Sequence, residues 1–248
     1  MFRLVAFIAV ICSLAACGDP FPDYNYKMTI YAGGKAFSSV RHVESEKAFT
    51  LDSGGRGVRY SLQGEAVIID HPNGSTYYAL LSKPNDPDYA TLITGAALSR
   101  HIPEEAKSET QAELDRWEAK NTQTDPNVAL RKSAERSRKM TEVEGPRDLP
   151  RRVASSTYGL PPYDAWPMFV TFSDPKDPRT VREVSPESIG VSRITIEITD
   201  EDVTEGIEGR LRWLPDYYDK MLDGKRLNDS SALANNLTSR AFRREDDQ

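Results

Sequence analysis

Tyr26-Lys27-Met28-Thr29-Ile30-Tyr31-Ala32 alternates apolar with polar residues, and so, far along the chain, does Arg193-Ile194-Thr195-Ile196-Glu197-Ile198-Thr199. A period of two places every second side chain on one face, which is the signature of a half-buried strand. These two stretches decide the fold class. Working outward from the first, Gly33-Gly34 supplies a turn and 37–44 returns as its hairpin partner. A flexible loop, Ser53-Gly54-Gly55-Arg56-Gly57, precedes a third strand at 58–62 and a fourth at 65–70. The turn His71-Pro72-Asn73-Gly74 leads to a fifth at 76–81. The unbroken apolar runs 66–69 and 77–81 predict strands that are central and covered on both faces. The first half therefore reads as an antiparallel β-meander.

From the second stretch, the pattern extends back to short strands at 168–172 and 180–184, joined by the Asp174-Pro175-Lys176-Asp177-Pro178 turn. Ser185-Pro186-Glu187 has the form of a helix cap, with proline at the first helical position. A final helix is predicted over 230–242, followed by a frayed acidic end. Between the halves, 104–144 changes character. It holds few large apolar residues and is rich in helix formers, with a break at 121–126. Residues 104–120 carry six acids and three bases, and residues 131–139 five bases and one acid. So little apolar surface predicts a marginally packed helical insertion. The expected fold is α+β: an antiparallel meander core, a charged helical insertion at 104–144 and a short C-terminal helix. The core occupies 25–226 as one domain, and 227–248 forms the C-terminal helix and tail.

Composition bounds the function. The 248 residues are 38% hydrophobic and 28% charged, with mean hydropathy −0.57, which excludes a polytopic membrane protein or a wholly disordered chain. A net charge of −6 has the wrong sign for a nucleic-acid partner. Two cysteines exclude a disulfide-dense scaffold and a Cys-rich zinc module.

The N-terminus carries Arg3, an apolar run from Leu4 to Leu14, and then the small residues Ala15, Ala16, Cys17 and Gly18. That order is an export signal over 1–16, and its apolar run is too short to span a bilayer, which takes ~20 residues. Leu14-Ala15-Ala16-Cys17 resembles the lipobox of bacterial lipoproteins. The resemblance implies a diacylglyceryl thioether on Cys17, which becomes the new N-terminus, with 17–24 as lipidated tether. Cys12 leaves with the signal, so the mature chain has no free thiol. Loss of Arg3 moves the net charge from −6 to −7, so lipid rather than charge holds the body to an acidic membrane. Gly18 in place of aspartate after the cysteine points to the periplasmic side of the outer membrane rather than the inner.

Further blocks resemble an uncharacterised family of small bacterial lipoproteins and envelope proteins. They are Gly64-Glu65-Ala66-Val67 leading to Ala79-Leu80-Leu81; 167–184, including Val170-Thr171-Phe172 and Asp177-Pro178; 193–214, with Thr199-Asp200-Glu201; and 233–244, ending Phe242-Arg243-Arg244. With the signal and lipobox they cover about a third of the chain, and the insertion departs from the pattern. The resemblance implies a shared fold and envelope location and transfers no catalytic residue.

No catalytic constellation is legible. The sequence contains no G-x-S-x-G elbow, HExxH or phosphate-binding glycine motif. Ser38 and Ser39 near His42 form a local Ser/His pairing. His42, His71 and His101 share no metal-ligand spacing, so neither metal nor cofactor is expected. The acids Glu197, Asp200, Glu201, Asp202 and Glu205 lack the spacing of a calcium loop. The basic stretch 131–139, with Arg147, Arg151 and Arg152, either meets an anionic partner or pairs with the acidic segment 104–120. Trp213 with Tyr217 and Tyr218 reads as packing. In the proline-rich loop, Tyr158, Tyr163 and Trp166 form either a partner-docking surface or a lid over the core. The expected role is a non-catalytic binding or structural module, anchored through Cys17 and facing an envelope protein or cell-wall component. The alternative is a periplasmic hydrolase or cell-wall-ligand-binding enzyme whose site is assembled only by folding.

Overall fold

A computed structural model of the chain describes residues 21–48, 57–102, 126–154 and 162–245. The signal 1–16, Cys17, the acidic half of the insertion and Tyr158 lie outside the described residues.

The two stretches that decide the fold pair with each other. β1 (Tyr24–Ala32) lies antiparallel to β11 (Val191–Thr199), with Tyr26 opposite Ile198, Met28 opposite Ile196 and Ile30 opposite Ile194. On its other side β1 turns through Gly33-Gly34 into β2 (Lys35–Ala48), and β2 pairs with β3 (Gly57–Glu65). Both turn glycines have positive φ, 55° and 78°, as a two-residue hairpin turn twisted to match its strands requires. β12 (Arg243–Arg244) and β6 (Arg147–Asp148) close the edges of this six-stranded sheet.

The meander ends at β3. β4 (Val67–Asp70) and β5 (Thr76–Ala79) leave it to build a four-stranded sheet with β9 (Phe169–Phe172) and β10 (Val181–Val184), in the order β10-β9-β5-β4. Both faces of this sheet are covered, as its apolar runs predict. Val67, Ile69, Ala79, Leu81 and Phe169 pack toward the six-stranded sheet. Tyr78, Leu80, Val170 and Phe172 pack toward a layer of short turns at 207–242. β4 is nonetheless an edge strand, not a central one. The turn layer contributes Trp213 and Phe242, whose rings stand 5.5 and 5.8 Å from that of Phe172, and Tyr217 stacks on Trp213. Phe242 is fully buried, so the C-terminal segment belongs to the core.

Helices depart most from expectation. α1 (Tyr89–Leu98) packs on the six-stranded sheet, against β3, β11 and β6, and is buried on most of its circumference. It lacks the polar face that makes a helix visible as a 3.6-residue rhythm. α2 (Pro126–Thr141) contains the basic stretch 131–139. The C-terminal helix over 230–242 does not form: the segment holds two short 3-10 turns, Leu233–Asn235 and Ser239–Ala241. Asparagine is the reason. The Asn235 carboxamide accepts from the backbone N–H groups of Asp229 and Ser230, both at 2.8 Å, and donates to Asp223 Oδ2 and the Leu227 carbonyl. Asn236 donates to the carbonyls of Ser230 and Ala232. Side chains that satisfy the backbone locally compete with the helical ladder. Ser185-Pro186-Glu187 likewise opens a tight turn, closed at Gly190 with φ 62°, that feeds β11.

Candidate functional site

One end of the molecule carries a cleft of about 440 Å³. β1 delivers Tyr24 to it, with Phe21 and Pro22 just before the strand, and β3 delivers Tyr60. One wall is α1, through Thr91, Leu92, Thr94, Gly95 and Ala96. The facing wall is α2, through Arg136, Ser137 and Met140. The hairpin of β7 (Arg152–Val153) and β8 (Tyr163–Asp164) completes the rim with Val153 and Tyr163.

The floor is rigid. Tyr24 Oη and Thr94 Oγ1 lie 2.9 Å apart, and burial pushes the Tyr24 phenol well above its ordinary pKa. The Phe21 ring meets Tyr60 edge-on at 6.2 Å, and the Phe21 carbonyl accepts from Ser45 Oγ at 3.1 Å. The rim is more open: Leu92 is 57% exposed and Tyr163 47%. Among the described residues the wall contains no carboxylate, and Arg136 is its one charged side chain.

The aromatic loop divides between its two readings. Tyr163 faces solvent at the cleft rim. Trp166 is a lid instead: its Nε1 donates to the Leu149 carbonyl at 3.1 Å, and the Arg151 guanidinium stacks on its ring at 5.4 Å. Arg151 also bonds Asp164 and Glu187, so the cation that stacks on the aromatic loop is satisfied by acids of its own body. Two bases of the basic stretch behave the same way. Arg138 pairs with Glu135 and Glu142 of its own helix and helix end, at 2.7 and 2.6 Å, and Lys139 reaches Glu142.

The histidines stand apart. His42 Nδ1 bonds Asn25 Oδ1 at 2.7 Å; His71 sits in its turn, edge-on to Tyr77; His101 follows α1 beside Arg100. Ser39 is buried on the opposite face of β2 from His42, with its hydroxyl on the Glu65 carbonyl. Ser38 shares the His42 face but is four residues away, about 13 Å along a strand. Of the acids near the end of β11, Glu201 is structural: it bonds Lys27, and its carbonyl accepts from Asn25 at 2.9 Å. Among the described residues no three His, Cys, Asp or Glu side chains converge to hold a metal ion. No described helix is long and apolar enough to cross a membrane.

No family model matches the chain, and neither does any curated protein or solved structure. The site therefore rests on its own chemistry.

Two buried ionisable groups carry no signal in the sequence. Arg41, fully buried on β2, donates through Nε to the Glu65 carbonyl at 3.2 Å and through Nη1 to Tyr26 Oη at 3.3 Å, while its Nη2 has no hydrogen-bond partner among the described residues. Glu65, 3% exposed, accepts from the backbone N–H groups of Gly206 and Ile207 at 3.0 and 2.8 Å. Desolvation outweighs those bonds and raises its pKa. Both groups pin the end of β3; Glu65 also borders a crevice of only about 20 Å³ beside Arg243.

A second cavity of about 390 Å³ lies along β3. Arg59, Arg240 and Arg244 line it together with Glu44, Asp88 and Glu245, so its charges balance within the wall.

Proposed function

We propose that this chain is a lipid-anchored bacterial envelope protein, held by Cys17 and facing the periplasm from the outer membrane. It acts there as a non-catalytic binding module, and its cleft is the binding site. One observation carries the reading. Three features that the sequence marks independently meet at this cleft: the end of the tether at Phe21, the helix of the charged insertion at Arg136, and the aromatic hairpin at Tyr163. The resemblance to small lipoproteins and envelope proteins supports the same location.

The test is in-cell crosslinking of the tagged protein from a photoreactive residue at Ser137 in the cleft wall, followed by mass spectrometry, with Cys17→Ala as control. The expected result is one dominant envelope partner, lost without the anchor. Retention of every association after deletion of 104–144 overturns the cleft as the surface. An intact mass without added diacylglycerol overturns the anchor.

A further inference from the structure

The cleft lies next to the anchor. Three residues, Gly18, Asp19 and Pro20, separate Cys17 from Phe21, and the Phe21 side chain is buried in the body at 2% exposure. Four residue steps span at most about 14 Å even when fully extended. A lipid on Cys17 therefore brings the Phe21 end of the molecule to the membrane surface, and Phe21 lines the cleft.

What the rim shows to that surface is unusual for this protein. Among the described residues three large apolar side chains are exposed, and two of them, Leu92 and Tyr163, stand here. The same cleft is lined by Arg136, which is exposed and makes no ion pair among the described residues. In a chain of net charge −6, the described wall of this cleft has a cation and no acid. Tyrosine belongs to the headgroup level of a bilayer, a leucine beside it reaches the acyl boundary, and an arginine there meets phosphate.

Resting on the lipid-anchor reading above, we propose that this rim is a membrane-contact surface. Leu92 and Tyr163 enter the interfacial layer of the anchoring leaflet, and Arg136 takes the phosphate of an anionic phospholipid. The anchor and the rim make two attachments, which fix the orientation of the body as well as its location.

The test uses the lipidated protein in phosphatidylethanolamine–phosphatidylglycerol vesicles. Single thiols are introduced as Leu92→Cys and, at the other end of β1 beside the Gly33 turn, Asn73→Cys, and each carries a fluorophore. β1 separates these ends by about 26 Å. Nitroxide on the upper acyl chain is expected to quench the label at 92 and to leave that at 73 unaffected. Arg136→Gln, with the label at 92, is expected to lower the ratio of seated to lifted protein about fivefold in anionic vesicles and not at all in neutral ones. Equal quenching at both positions in protein that floats with the vesicles overturns the proposal and leaves the anchor standing. Failure to float, with an intact mass lacking lipid, overturns the anchor itself. Crosslinking from position 92 to protein alone, never to lipid, also overturns the contact surface.

Discussion

Replacing Gly64 with alanine tests how the two sheets are joined. Gly64 sits at the end of β3, between Arg41 on β2 and Arg244 on β12, with φ of 138°. An alanine Cβ there would stand 3.0 Å from Arg41 Cγ, 3.1 Å from Arg41 Cα and 3.2 Å from Arg41 Cβ. All three distances are closer than an ordinary contact. The Cγ is part of a side chain held by its bond to the Glu65 carbonyl, and the Cα belongs to a strand paired on both sides, so neither can withdraw freely. The backbone conformation costs an L-residue about 1–3 kcal/mol. The overpacking adds about 1–3 kcal/mol. Because one local tilt eases both, we expect a loss of roughly 3–4 kcal/mol, a large part of the stability of an ordinary domain. For a domain of this size that lowers Tm by about 10 °C.

Gly74→Ala is the matched control, since φ there is 85° and an added Cβ would meet nothing within 4 Å. It incurs the backbone cost alone. Urea denaturation followed by tryptophan fluorescence should place Gly64→Ala below Gly74→Ala by about 1–3 kcal/mol. Adding Arg41→Ala should recover little of that, because the contacts with Arg41 Cα and Cβ remain. If the two glycine variants prove equally stable, the close approach of β2 and β3 is not what selects glycine, and the argument fails.

The other perturbations bear on the same joint and on the C-terminal layer. Arg41→Met should stay within about 1 kcal/mol of the parent in the same assay, since no polar group is orphaned: Ser39 still donates to the Glu65 carbonyl, and Tyr26 Oη still donates to the Ala90 carbonyl. A loss above about 3 kcal/mol would show that the guanidinium holds more than its bonds to the Glu65 carbonyl and Tyr26 suggest. Glu65→Gln should cost about 1–3 kcal/mol, because one carboxylate oxygen facing a backbone N–H becomes a donor. Its pH dependence has a definite sign. The folded pKa of Glu65 lies above the ordinary 4.5, so its stabilising term is complete below 4.5 and fades as pH rises through the folded pKa. The advantage of the parent over Glu65→Gln should therefore shrink with rising pH, and a widening gap would mean that the bonds to Gly206 and Ile207 outweigh desolvation. Asn235→Ala should lose roughly 2–3 kcal/mol by leaving two backbone N–H groups without acceptors, and an unchanged urea midpoint would assign those turns to the surrounding apolar contacts instead.

The difference between what could be read in the sequence and what could not follows the range of the interactions. Strands at 26–32 and 193–199 announce themselves because one face meets the core and the other meets solvent, and alternation records that locally. Their pairing with each other is invisible to the same pattern, since any amphipathic strand can accept any other. The break between β3 and β4 is set by Gly64 and Glu65, whose neighbours lie on β2, β12 and the turn at 206–207; a glycine and an acid say nothing alone. α1 was illegible for the opposite reason: burial around most of its circumference erases the rhythm that marks a surface helix. At 230–242 helix-permissive residues suggested a helix, but Asn235 and Asn236 turn their carboxamides on the backbone and prevent it. The cleft combines both cases. Arg136 and Tyr163 stand in stretches that composition already marks as unusual, whereas Leu92 comes from the helix that leaves no rhythm. A reading by sequence finds two sides of such a site and misses the wall between them, because that wall is the part the fold has to hide in order to build it.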